Sequence, residues 1–253
     1  MTSKTIVITG AAQGIGAAAG RLLAEQGNTL ILADRNLDGL EEIAASCRAG
    51  AAEVHVCPVD IADRAVVQSA LGGLCRRIGR IDALVNAAGI ADENEPDDAA
   101  AWDRIIGINL GGTYNTTQAV LPYLADGGRI VNVSSILGRA GKIRNTAYCA
   151  SKHGVLGFTK GLALDLAARK ITVNAILPAW VDTPMLRQEL ARQASVIGTE
   201  TGNLLRNARR AIPLRRLIEA DETAALINFL LSDAASAITA QGITIDAGFT
   251  CGV

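Results

Sequence analysis

Aromatic side chains are scarce: Phe, Trp and Tyr make up 3% of the 253 residues. The core must therefore be aliphatic, and any aromatic beside a pocket stands out. An excess of either charge is also missing, with 24 Lys and Arg against 25 Asp and Glu. That balance gives no electrostatic case for binding nucleic acid or an anionic membrane. No apolar run approaches the length of a bilayer span. The two histidines, His55 and His153, lack ligand-spaced partners, so no metal site is expected. The five cysteines form no C-x-x-C pair and are odd in number. Buried thiols in a reducing compartment suit that pattern better than a disulfide framework. The opening MTSKTIVITG runs into a strand-like segment without a signal-peptide layout, so a cytoplasmic location is expected.

What is present is a regular alternation. Short apolar, β-branched runs fall at 4–10, 28–34, 52–60, 82–89, 128–135, 171–178 and 242–248. Helix-like stretches lie near 14–26, 36–49, 63–78, 98–123, 146–169 and 220–232. The strand runs are apolar throughout, as a parallel sheet covered on both faces requires. The pattern predicts a single α/β domain over 1–253, a Rossmann-like, doubly wound, seven-stranded parallel sheet with helices on both faces. One segment breaks the rhythm. Residues 185–216 are long, polar and rich in arginine, with seven Arg against two Glu. A connection leaving a strand's carboxyl end lies over the ligand crevice of such a sheet, so this segment is expected to form a substrate lid. A solvated helix pair or an oligomer contact is the alternative.

TGAAQGIG, residues 9–16, follows the first strand and opens a helix. Gly10, Gly14 and Gly16 permit a tight turn and close backbone approach, with Gln13 and Ile15 between them. The helix start beyond offers unpaired N–H groups to a pyrophosphate. The second strand ends at Asp34, about twenty residues on, where a carboxylate accepts hydrogen bonds from the ribose hydroxyls of NAD and repels the extra phosphate of NADP. Arg35 pulls the other way, and Asp34 is expected to prevail. Asp34 could also simply cap the following helix. Further along, Tyr148 and Lys152 stand four apart near the start of a helix, on one face.

Taken together, TGAAQGIG (9–16), VDIAD (59–63), NAAG (86–89), GINLGG (107–112), NVSS (132–135) and YCASK (148–152) resemble the short-chain dehydrogenase/reductase family over essentially the whole chain. The resemblance implies a tetrad of Asn109, Ser135, Tyr148 and Lys152; the family's spacing of the serine from the tyrosine selects Ser135 over Ser134. It implies NAD as cofactor, held by the glycine turn, Asp34, Arg35, Asp60 and Ile61 by the adenine, Asn86, Ala87 and Gly89, Tyr148 and Lys152, and Pro178, Val181 and Thr183. Tyr148 is the expected acid/base and Ser135 the hydrogen-bond donor to the substrate oxygen. The Lys152 ammonium and the positive nicotinamide ring of NAD⁺ are both expected to favour the tyrosine's phenolate, and Lys152 also to hold the cofactor ribose. The Asn109 main-chain carbonyl is expected to hold a relay water. A homotetramer is likewise what the family implies. One departure stands out: Ala179 follows Pro178 where relatives carry glycine.

The substrate pocket is expected to draw on Ile90, Ala91, Ser135, Leu137, Asn145, Tyr148, Trp180, Met185, Leu186 and Glu189. Trp180 resembles a feature of the 3-hydroxybutyrate dehydrogenases in the family. The positions matching those that hold the acid there, Ala91, Leu137, Asn145 and Glu189, include no cation. An unpaired buried carboxylate is costly, so the expected substrate is a neutral, fairly apolar secondary alcohol or its ketone, aromatic ones included. Lys142 and Arg144 leave an anion open, and Trp180 could be mere core filling. A 3-oxoacyl-thioester or polyketide-type ketoreductase is the alternative, with Arg206, Arg209, Arg210, Arg215 and Arg216 available to a carrier or its arm. A 3-hydroxy acid or polyol dehydrogenase and a non-catalytic dinucleotide-binding regulator rank lower.

Overall fold

All seven apolar runs become strands: β1 (Thr5–Thr9), β2 (Thr29–Asp34), β3 (Glu53–Pro58), β4 (Ile81–Asn86), β5 (Leu124–Val133), β6 (Thr172–Pro178) and β7 (Gly242–Ile245). They come from a computed structural model that describes residues 3–251. The helices are α1 (Gly14–Ala24), α2 (Leu37–Cys47), α3 (Arg64–Ile78), α4 (Ala99–Ile106), α5 (Gly112–Val120), α6 (Thr146–Asp165), α7 (Pro184–Ile197), α8 (Thr201–Ala211) and α9 (Ala220–Leu231). The strands form one parallel sheet in the order β3-β2-β1-β4-β5-β6-β7. The order reverses direction between β1 and β4, which opens a crevice at their carboxyl ends.

Strand residues alternate between two cores. Ile6, Ile8, Leu30 and Leu32 pack on one face with α1, α2 and α9, while Val7, Ile31, Leu84, Ile130 and Val173 pack on the other with α3, α5 and α6. This is why the strand runs are mostly apolar on both faces; all seven residues of β6 are buried, Asn174 among them. Each fully buried Leu or Ile contributes about 1.5–3 kcal/mol.

Two stretches differ from the sequence expectation. The helix expected over 98–123 is α4 and α5 joined by a π-helical turn, Gly107–Gly111, and closed by a 3-10 turn, Leu121–Tyr123. Strand β5 begins earlier than expected, at Leu124; its pairing with β4 shifts register between Ile81 and Ala83, beside Gly127 at φ 77°. The arginine-rich segment 185–216 is the helix pair α7 and α8, divided at Gly198 in the left-handed region. It has its own small core of Leu186, Leu190, Ala208, Ile212 and Leu217, with Trp180 and Phe249 packed against it. Among the described residues no helix is long and apolar enough to cross a membrane.

Candidate active site

At the end of β1 the chain turns through Gly10 and Gly14, both at positive φ. A Cβ on Gly10 would lie 2.6 Å from the Ala88 main-chain nitrogen, and one on Gly16 would lie 2.2 Å from the Gly10 carbonyl oxygen. Only hydrogen fits at either position. Helix α1 starts in this turn, with Gln13 making no side-chain cap bond and no acid in the first turn. By contrast α2, α3, α4 and α7 are capped by Asn36, Asp63, Asp98 and Thr183. The first-turn amides of α1 are thus left as donors for an anionic group such as a pyrophosphate.

A groove runs from this turn across the sheet's carboxyl edge. It is lined by Gly10, Gln13, Gly14, Ile15 and Gly16, by Asp34 and Arg35, by Asp60 and Ile61, by Ala87, Gly89, Ile90 and Ala91, and by Thr183 and Met185. Asp34 Oδ2 accepts from Ala12 N at 3.2 Å and Oδ1 from Asn36 N at 3.0 Å. Asn36 caps α2, so Asp34 is not the cap of that helix and its carboxylate faces the groove. These residues fit a dinucleotide: a phosphate-sized turn without side chains, then a carboxylate at ribose distance along the next strand.

Asn86 is not among the residues that line the groove. Its side-chain amide donates to Thr117 Oγ1 (3.2 Å) and Asn132 Oδ1 (2.9 Å), and its side-chain oxygen accepts from Thr116 (2.6 Å). The engaged, buried side chain between β4 and α5 braces the floor of the crevice. Pro178 and Val181 also lie outside the groove lining, Pro178 buried at the end of β6 and Val181 bridged to Ile218. Ala179 takes no positive φ, and its N–H donates to the Ile245 carbonyl at 3.1 Å. The methyl group requires no unusual backbone there.

Beside the groove α6 carries Tyr148 and Lys152; neither is among the residues that line it, but Tyr148 packs on the same small cluster as the groove-lining Ile90. Ser135 lies close enough to Tyr148 to lower its phenol's pKa, and its Oγ accepts from Leu137 N at 3.1 Å. Neighbouring Ser134 is tied back to the Lys152 main-chain carbonyl at 2.9 Å, so the two serines have separate tasks. Lys152 is buried; its Nζ donates to the Val133 carbonyl at 3.0 Å and stands 5.6 Å from the Tyr148 ring centre. A Cβ on Gly89 would come 3.5 Å from that Nζ, so the glycine keeps the path from lysine to groove open. Asn109 sits in the π-helical turn and clamps Ile90 at both ends, accepting from its N–H (2.8 Å) and donating to its carbonyl (3.0 Å). The Asn109 amide also reaches Ser151 Oγ at 3.1 Å. Its own carbonyl accepts from Thr113 Oγ1 at 2.7 Å. The π-turn, which the sequence pattern did not disclose, sets Asn109 under this loop.

Burial sets the electrostatics of the pair. Burial pushes the Tyr148 phenol up to about 12, against a lowering by the Ser135 hydrogen bond, and the charge of Glu189 adds to the rise. Burial pulls Lys152 down to about 8. Lys152 gives one of its three N–H donors to the Val133 carbonyl and keeps two for other partners. The protein's own groups therefore hold the phenol as a neutral acid, the form that gives a proton to a ketone oxygen.

The substrate-side expectations divide in two. Ile90, Ala91 and Met185 line the groove, joined by Ala88, Asp92, Arg104, Ile108, Pro184, Gln188 and Arg192, which the sequence reading missed. The last two follow from helical spacing after Met185. Leu186 instead turns into the lid's own core, and Trp180 stacks near Phe249 with ring centres 5.0 Å apart. Asn145 is buried, its amide donating to the Ile143 carbonyl at 2.9 Å. The two cations left open are both neutralised: Lys142 pairs with Glu189 at 2.9 Å, and Arg144 with Glu95 at 2.8 Å and Glu93 at 3.5 Å. Among the described residues no group of three or more His, Cys, Asp or Glu could hold a metal ion.

Known proteins share this arrangement. The enoyl-(acyl carrier protein) reductase family profile matches residues 10–250. The 3-oxoacyl-[acyl-carrier-protein] reductase FabG of Thermotoga maritima is 37% identical over 258 residues, covering 98% of each chain. Levodione reductase superposes with a TM-score of 0.92 at 33% identity over the whole of both chains. A single-residue variant of actinorhodin polyketide ketoreductase, solved with NADPH, superposes with a TM-score of 0.90 at 31% identity, covering 98% of this chain and 97% of that one. The chain belongs to the short-chain dehydrogenase/reductase family, oxidoreductases that exchange hydride between a nicotinamide dinucleotide and an alcohol or ketone.

Proposed function

We propose that the enzyme is NAD-dependent and interconverts a neutral, fairly apolar secondary alcohol and its ketone. The observation that carries this reading is that Tyr148 and Lys152 stand next to Ile90 and Gly89, which line the same groove as the glycine turn and Asp34. The nicotinamide ring, when bound, supplies or takes the hydride. Tyr148 gives its proton to the ketone oxygen in reduction and takes it back in oxidation. Ser135 donates to the same oxygen and steadies the charge that develops there. Lys152, with Asn109 and the glycine turn, holds the cofactor side. Asp34 supports NAD over NADP, since a fixed carboxylate repels a 2′-phosphate. Arg35 beside it lines the same groove and is the competing attraction.

The paired state of Lys142 and Arg144 supports a neutral substrate. Residues 185–216 act as its lid, since α7 lines the groove on one face and packs on α8 with the other. The protein works in the cytoplasm as a homotetramer, as the family commonly does.

A second reading, reduction of a 3-oxoacyl thioester or polyketide intermediate, is favoured by one observation. Arg206, Arg209, Arg210 and Arg215 have no carboxylate partner among the described residues, so the lid could receive an acidic carrier. One measurement separates these, and a second tests the tyrosine that both share. Secondary alcohols with NAD⁺ and NADP⁺ should show a preference for NAD⁺ of about tenfold or more in kcat/KM; equal or inverted preference favours the acyl reductase. Tyr148→Phe should lose about 10²-fold or more in kcat while still binding NADH by fluorescence. Retention of most of the activity removes the tyrosine from the chemistry.

A further inference from the structure

Helix α7 has three kinds of position. Leu186, Leu190 and Ala194 enter the lid core or are buried beside it, and Met185, Gln188 and Arg192 line the groove. Glu189 comes one turn after Met185, next to the groove-lining Gln188, with 18% of its side chain exposed. Its Oε1 accepts from Lys142 Nζ at 2.9 Å and from Gln193 Nε2 at 3.2 Å. Lys142 lies six residues before Tyr148, in the segment between β5 and α6. Gln193 also donates to Glu93 at 3.0 Å, in the loop after β4. Arg104 and Arg192 both bind Asp92, at 2.6 and 2.9 Å. The cations of this network, Arg104, Lys142, Arg144 and Arg192, are each matched by a carboxylate from another segment.

A substrate acid entering at this end of the groove meets no free cation in the network, and it comes close to the Glu189 carboxylate, one turn after the groove-lining Met185 and next to the groove-lining Gln188. We propose that Glu189, clamped by Lys142, is the specificity-determining residue that excludes substrates carrying a carboxylate. It acts twice: its own charge repels the acid, and it occupies the ammonium that would otherwise receive one. The repulsion reaches the reaction centre, because the Glu189 charge is felt at the Tyr148 phenol. A like charge in a partly buried site disfavours an incoming anion by about an order of magnitude. The inference rests on the neutral-ketone reading and names what enforces it.

The test compares a 3-oxo acid with its methyl ester, measuring kcat/KM for each with NADH in wild type, Glu189→Gln, Lys142→Met and the double variant. Wild type should prefer the ester. Glu189→Gln should raise the acid-to-ester ratio about tenfold or more, by unmasking Lys142. Lys142→Met should lower that ratio, because Glu189 then stands uncompensated, and it provides an independent reading if Glu189→Gln does not fold. The double variant should fall between the two single ones. An unmoved ratio in both single variants, with wild type still preferring the ester, overturns the filter alone. A wild type that takes the acid in preference to the ester overturns the neutral-substrate reading and the filter with it.

Discussion

Replacing Lys152 with methionine keeps the length of the side chain and removes its charge, which exposes a cost hidden in the folded protein. The ammonium is 5% exposed, and burial brings its pKa from 10.5 to about 8. That difference between unfolded and folded states corresponds to about 3 kcal/mol of destabilisation at neutral pH. Against it stands the Val133 carbonyl, which loses its donor in the variant, at about 1 kcal/mol. The net expectation is a variant about 2 kcal/mol more stable than wild type near pH 7. The pH dependence fixes the cause. A group whose folded pKa is depressed withholds stability below that pKa and returns it as pH rises to the unfolded value. Wild type should therefore gain on the variant from about pH 8 to pH 10, until only the lost carbonyl partner remains and the order reverses. Urea unfolding of both proteins without cofactor, at equal protein concentration and at the two ends of that range, measures it. A variant less stable at pH 7, or a difference indifferent to pH, refutes the account of Lys152 as a buried charge maintained at a cost in stability.

Gly10→Ala places a Cβ 2.6 Å from the Ala88 nitrogen at a positive φ; it should lower stability by about 1–3 kcal/mol and weaken NADH binding, read by thermal melting and fluorescence titration. Asn109→Leu leaves the Ile90 N–H and C=O without their side-chain partner and should cost about 1–2 kcal/mol in urea unfolding, as two part-buried groups lose their bonds. A near-neutral result would show that the π-helical turn holds the Ile90 loop without its side chain.

The sheet was legible because its signal is local and redundant: the strands are short, mostly apolar runs rich in β-branched residues, and they alternate with helical stretches. The glycine turn was legible for a similar reason, since Gly10 and Gly16 are required by the backbone itself. What escaped depends on tertiary balance. The π-turn at Gly107–Gly111 leaves no mark in hydrophobic spacing, as the residues on either side read as one helix. Asn86 reads as a polar residue at a crevice, and only the neighbouring Thr116, Thr117 and Asn132 reveal that its amide is already engaged. Tyr148 shows the same limit: helical spacing brings the ammonium within 5.6 Å of the ring centre, but spacing carries no information about burial, which raises the phenol.

The same burial bears on how the site works. It raises Tyr148 and lowers Lys152, so each group is held nearer to neutrality than it would be in water. Reduction starts from the neutral phenol, the form that burial favours, whereas oxidation needs the tyrosine to accept a proton and so draws on the phenolate. Ser135, bonded to the phenol, lowers its pKa in part and eases that ionisation. The Glu189 charge opposes it, so the residue argued to exclude acids also keeps the tyrosine protonated. Removing that charge cannot alter the equilibrium of the overall reaction, but it should move the alkaline rise in kcat/KM for alcohol oxidation to lower pH. To the extent that the exclusion comes from the Glu189 field, both effects appear together in Glu189→Gln. An acid-to-ester ratio that rises while the pH profile stays in place would assign the exclusion to the masked Lys142 ammonium alone.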